Sequence, residues 1–229
     1  MAYNPELKTS LRQRIGVIII AIVLLGSTIA LYMGIVLNYN NAGNNDTSQI
    51  DPEKEARYEE LRAEYNAEIE AKAKELSATY FDTFATYRSR VKSFNAANIT
   101  EVTFEDLKVG TGEEITEGFT DYSAYYIGWL SNETVFDSSF DDFANPTSLH
   151  FPLAGGNLIE GWNRGIIGMK IGGIREISIP AELAYGANEQ GDIPANSPLK
   201  FIVMLIPFTD VEPSDELYEL YYELYGGGY

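Results

Sequence analysis

"NLIEGWNRGIIGM", residues Asn157 to Met169, decides the fold, because its apolar spacing asks for a helix that its own glycines oppose. Ile159, Trp162 and Ile166 fall at i, i+3 and i+7, one face of a single short helix, while Gly161, Gly165 and Gly168 lie off that stripe. Each glycine in a helix interior costs about 1 kcal/mol relative to alanine. Such a helix must be held by tertiary packing, and its glycines allow close approach of whatever packs there.

The sequence around it supplies the packing partner. "DYSAYYIGWL", "SLHFPL", "IREISI" and "LKFIVMLIPF" are short, rich in β-formers and separated by turn residues. Phe201, Val203 and Leu205 share one face of the last run. Leu149, Phe151 and Leu153 share one face of "SLHFPL", which turns His150 to the opposite side. This spacing predicts an antiparallel sheet with one face on a core. The segment carrying Trp162 is the only convincing helix among the strands, so the predicted class is α+β, a sheet with one short helix.

Composition removes whole classes of chemistry. The 229 residues include no cysteine and one histidine, His150, which excludes thiol nucleophiles, disulfides and clusters of histidine ligands. No G-x-S-x-G turn offers a serine nucleophile, and no glycine-rich phosphate cradle is present. A net charge of −18 opposes nucleic-acid binding. No cofactor and no metal are expected.

Upstream, residues 1–14 carry Lys8, Arg12 and Arg14 against Glu6. Residues 15–37 are then free of charge, and as a helix would span about 34 Å, enough to cross a hydrocarbon core. Three basic residues precede this segment, and 33 of the 34 acidic residues follow it, so the positive-inside tendency puts the N-terminus in the cytoplasm and the bulk of the chain outside. A cleaved signal peptide, cut after Ala30 to release a secreted protein, is the alternative. Either way the remainder is exported.

A polar linker, residues 38–50, leads to Asp51 and Pro52, a helix N-cap and first helical residue. From there Tyr58, Leu61, Tyr65, Ile69, Leu76, Tyr80, Phe84 and Phe94 keep a helical period, predicting an amphipathic arm over residues 51–95. At about 66 Å it is too long to bury its own stripe alone. A second chain in a homodimeric coiled coil is the first expectation. A fold-back and a surface for client proteins, with chaperone activity, are the others. Residues 209–229 form an acidic, tyrosine-rich tail with leucines at near-helical spacing.

Residues 101–208 carry "VGTGEE", "YYIGWL" followed by "VFDSSF", "LIEGWNRGIIGMKIGG", "IPAELAYG" and "IPANSPLKFIVMLI". In this order and spacing they resemble the FKBP-type peptidyl-prolyl cis-trans isomerases. The resemblance implies an antiparallel sheet wrapped around one short helix, and a pocket for proline. It implies Trp162 as the pocket floor and Tyr126, Phe136, Leu158, Ile159, Ile193 and Phe201 as walls. It further implies that Asp137, Tyr185 and the main-chain N–H of Ile159 orient the peptide, and that Leu149 stands at a wall position where an aromatic is common. "SFDDFANPTSLH" lacks the arginine that many members place after the Phe-Asp pair and offers Asp141 and Asp142 instead. The implied partners are proline-containing exported polypeptides, and the implied activity is X-Pro isomerisation. A non-catalytic module gripping a proline segment from a membrane stalk is the alternative.

Overall fold

β-Branched and aromatic residues recur between Thr103 and Pro207 in runs of strand length, and the computed structural model builds one antiparallel sheet from them. The structure describes residues 51–156 and 158–225. The strands are β1 (Thr103–Lys108), β2 (Tyr122–Trp129), β3 (Val135–Ser138), β4 (Leu153–Ala154), β5 (Ile174–Ile179) and β6 (Leu199–Pro207). Their order is β1-β5-β6-β2-β3, with β4 paired to the start of β2. The central ladder runs from Tyr122 opposite Pro207 to Trp129 opposite Lys200. The expected membrane segment at residues 15–37 and its flanks at 1–14 and 38–50 lie outside the described residues, as do residues 226–229 of the tail. Among the described residues no helix is long and apolar enough to cross a membrane.

Two units are distinguished: residues 51–69 with 211–225, and residues 70–210. Helix α1 (Pro52–Ala85) gives its first half to one and its second half to the other.

In the larger unit the seven-residue helix α2 (Glu160–Ile166) packs on β5 through its glycines. A Cβ on Gly161 would stand 2.2 Å from Ile179 Cγ2, and one on Gly165 2.5 Å from Ile177 Cγ2, so no other residue permits this approach. The cost that the glycines impose on helicity is offset by apolar burial against Ile177 and Ile179. Arg175 on β5 closes the far end. Its Nη1 donates to the carbonyls of Gly165 at 2.8 Å and Ile167 at 2.9 Å, while Asp106 on β1 receives Nε at 2.6 Å. That guanidinium satisfies carbonyls that a helix C-terminus leaves open.

Both faces of the sheet are covered, which corrects the expectation of one. The inner face sets Ala124, Ile177, Ile179, Phe201, Val203 and Leu205 against α2. The outer face sets Tyr125, Ile127, Trp129, Ile174, Ile202, Met204 and Ile206 against Leu76 and Phe84 of α1. Near-continuous apolar runs in β2 and β6 are the sequence form of that double burial.

The arm also ends sooner than expected, at Ala85 instead of Asn95, and continues as a 3-10 turn over Thr86–Arg90. Hydroxyls of Thr86 and Ser89 bond back to the carbonyls of Thr83 and Thr86, competing with the helical ladder. The chain then joins the sheet edge, where Phe94 N–H donates to Ser131 O at 3.1 Å and Trp129 Nε1 to Lys92 O at 3.0 Å.

In the smaller unit the tail forms α3 (Asp215–Tyr225), with Leu217 buried among Tyr58, Leu61 and Tyr65 of α1. Arg57 is bidentate on Glu216, at 2.7 and 2.9 Å, and Tyr65 donates to Val211 O at 3.0 Å. Apolar residues of α1 are covered within each unit, by α3 in one and by the sheet in the other.

Candidate active site

The candidate site is built on the inner face, where β2 alternation turns Tyr126 inward and Tyr125 outward. Gly128 stands two residues on, opposite Phe201 of β6 and Asp137 of β3. A Cβ there would lie 2.6 Å from the Phe136 ring and 2.7 Å from the Phe201 ring, so the missing side chain is what lets those rings meet.

Four aromatic side chains then run edge to face without interruption. Phe136 and Phe201 stand 5.6 Å apart at 82°, Phe201 and Trp162 5.2 Å apart at 78°, and Trp162 and Tyr126 5.8 Å apart at 84°. These are the favoured quadrupole geometries for aromatic pairs. Trp162 is 3 % exposed, whereas Tyr126, Phe136, Leu158, Ile159 and Tyr185 are only partly buried against the same cluster. Ile193 is buried beside them. Burial is thus graded, deep at the indole and partial at the residues packed around it. Among the described residues the buried Trp162 Nε1 has no hydrogen-bond partner.

Polar groups gather at the rim. Tyr126 Oη donates to Asp137 Oδ2 at 2.5 Å. Burial first, and the Asp137 carboxylate second, hold the Tyr126 phenol above its usual range, and the same two causes in the same order raise Tyr185. Asp137 thus acts on both phenols while remaining exposed itself. Among the described residues no lysine or arginine forms an ion pair with it, and Tyr126 is its hydrogen-bond donor. No carbonyl or side chain among the described residues accepts from the main-chain N–H of Ile159, which immediately precedes α2.

Leu149 does not join this assembly. It is buried on the outer face with Phe84 and Phe140, and its N–H donates to Ser77 Oγ at 2.9 Å. The expected strand over residues 148–153 is broken: Leu149 bridges Phe140, and only Leu153 and Ala154 pair with β2. Pro152 lacks the N–H a continuous ladder requires, so the one-face spacing of Leu149, Phe151 and Leu153 does not survive. Asp141 organises the intervening loop, accepting from the N–H groups of Thr147 at 3.0 Å and Ser148 at 3.1 Å and from both their hydroxyls. Those bonds, led by the Thr147 hydroxyl, hold its carboxyl well below the usual range.

Two contributors escaped the sequence reading. Gly128 was legible in principle, because a glycine inside a strand signals a close approach. Ser139 was not: its N–H donates to Tyr126 O at 2.9 Å and its Oγ accepts Tyr126 N–H at 2.9 Å, a lock that no local pattern announces.

With this arrangement in view, comparison with known proteins settles the family. The model of the FKBP-type peptidyl-prolyl cis-trans isomerases matches residues 112–206. An FK506-binding protein of Neisseria meningitidis serogroup B is 43% identical over 103 residues, 44% of this chain and 91% of that protein. The chain belongs to the FKBP-type peptidyl-prolyl cis-trans isomerase family. FK506-binding protein 4 of Neurospora crassa is also 43% identical, over 105 residues that make up 46% of this chain and 21% of that protein. Among solved structures, that of AtFKBP13 is similar at 36% identity and a TM-score of 0.39, covering 47% of this chain and 93% of that one.

An open recess of about 450 Å³ in the smaller unit is lined by Asp51, Lys54, Arg57, Glu216 and Glu223. Lys54 pairs with Glu223 and Arg57 with Glu216 in its walls, and no aromatic side chain lines it.

Proposed function

We propose that this isomerase is tethered to the cytoplasmic membrane by residues 15–37 and acts on proline-containing exported polypeptides outside it. The tether and the sidedness rest on the charge-free run and the basic residues before it.

The proline ring seats on the Trp162 indole between Tyr126, Phe136 and Phe201, with Leu158, Ile159 and Ile193 completing the apolar walls. The observation that carries this assignment is the unbroken edge-to-face run from Phe136 to Tyr126 beside the Asp137 carboxylate. Rotation about an X-Pro bond is slow because it breaks amide resonance, a barrier of about 18–20 kcal/mol. The planar form carries the larger charge separation and is the better solvated, so an apolar recess disfavours it relative to the twisted form. No proton moves. Asp137, Tyr185 and the Ile159 N–H hold the peptide across the recess.

The test is the rate of cis-trans exchange in a short X-Pro peptide with the full chain. The wild-type chain accelerates exchange, and Phe136→Ala and Asp137→Ala each lower kcat/KM by about tenfold or more. A wild-type rate equal to buffer would leave only a module that grips proline segments without turning them over.

A further inference from the structure

Residues 140–149 leave the sheet directly after Asp137 and Ser139 and return at His150, and the root of this loop is pinned from two sides. On the sheet side, Phe140 bridges Leu149, and His150 N–H donates to Ser139 O at 2.8 Å. On the other side stands the second half of α1 with the turn that follows it. The buried Ser77 Oγ accepts the Leu149 N–H at 2.9 Å, and Phe84 stacks on Phe140 at 5.4 Å and 15°. Arg88 donates to the carbonyls of Phe143 and Ala144, the second at 2.8 Å, with its guanidinium 5.1 Å from the Phe143 ring centre.

Ser139, which occupies both main-chain groups of Tyr126, is the residue immediately before Phe140. A shift of Phe140 is therefore passed through one peptide unit to Ser139, and from there to Tyr126 and its bond to Asp137.

We infer that Ser77 and Arg88, which lie outside the segment matching the isomerase family, are positioning residues for the Tyr126–Asp137 pair. This rests on the function proposed above. The second half of α1 and the turn after it are then part of the catalytic apparatus, acting on the loop root through the Leu149 N–H and the carbonyls of Phe143 and Ala144.

The experiment is a double-mutant cycle on the full chain, reading kcat and KM for an X-Pro peptide by exchange spectroscopy. Ser77→Ala and Arg88→Met each lower kcat about three- to tenfold, with KM changed less than about twofold, and Arg88→Lys recovers part of the loss. In a Tyr126→Phe background both losses shrink to within about 1.5-fold, because the pair they position is already broken. Unchanged kcat in the folded single variants, or losses that persist in full beside Tyr126→Phe, would overturn the inference. If Arg88→Met loses its native aromatic circular dichroism, the Ser77→Ala cycle decides alone. An inactive wild-type chain overturns the proposed function and this inference with it, whereas an active one with additive losses overturns this inference only.

Discussion

The Tyr126 hydroxyl bonds to the Asp137 carboxylate at 2.5 Å, joining β2 to β3 beside the aromatic cluster of Phe136, Phe201 and Trp162. Removing the donor in Tyr126→Phe frees the carboxylate without changing the apolar wall. We expect kcat/KM to fall about tenfold and stability to fall by about 1 kcal/mol, the usual worth of one such bond. Exchange spectroscopy and urea unfolding measure the two effects separately.

Gly128 is where the rings of Phe136 and Phe201 close over the strand. Gly128→Ala drives a methyl into the rings of Phe136 and Phe201 and is expected to cost about 1–3 kcal/mol, because two packed aromatics must move together. A fall in kcat/KM larger than that of Phe136→Ala would show that both rings are displaced, and fluorescence of Trp162 would shift with them.

The outer face makes the family-like segment dependent on α1. A fragment of residues 101–208 leaves Tyr125, Phe140, Ile202 and Met204 without their cover and is expected to bind hydrophobic dyes and aggregate, while residues 70–210 remain soluble. In the full chain Phe84→Ala is expected to lower stability by about 3–5 kcal/mol, measurable by thermal unfolding.

Acid sensitivity is expected to come from carboxylates that the fold holds ionised. Asp141 and Glu216 both sit below their usual ranges, the first through the Thr147 hydroxyl and nearby N–H groups, the second through Arg57. A carboxylate depressed in the folded state contributes stability that is fully present above its unfolded pKa, about 4, and is lost as pH falls further. Unfolding midpoints measured downward from about pH 5 should therefore decline, and Asp141→Asn should flatten part of that decline. Activity behaves differently. The two raised phenols stay protonated through neutrality and no proton transfer is invoked, so kcat/KM is expected to be level between about pH 6 and pH 9.

Local spacing determined much of this protein. The i, i+3, i+7 stripe around Trp162 specified a short helix, its glycines specified close packing, and short runs rich in β-formers specified most of the strands, because these patterns arise within a few residues and reflect the geometry of one element. Inward-facing Trp162 and Phe201 were legible for the same reason, whereas Tyr126 was named only through the family resemblance. Tertiary structure alone decided that Leu149 turns away to the arm, that Ser139 locks Tyr126, and that α1 and α3 cover one another's apolar stripes. An apolar stripe states that burial is required, but its partner is chosen by chain closure over tens of residues. That choice depends on the shape and hydrogen bonding of surfaces which exist only once both elements have formed.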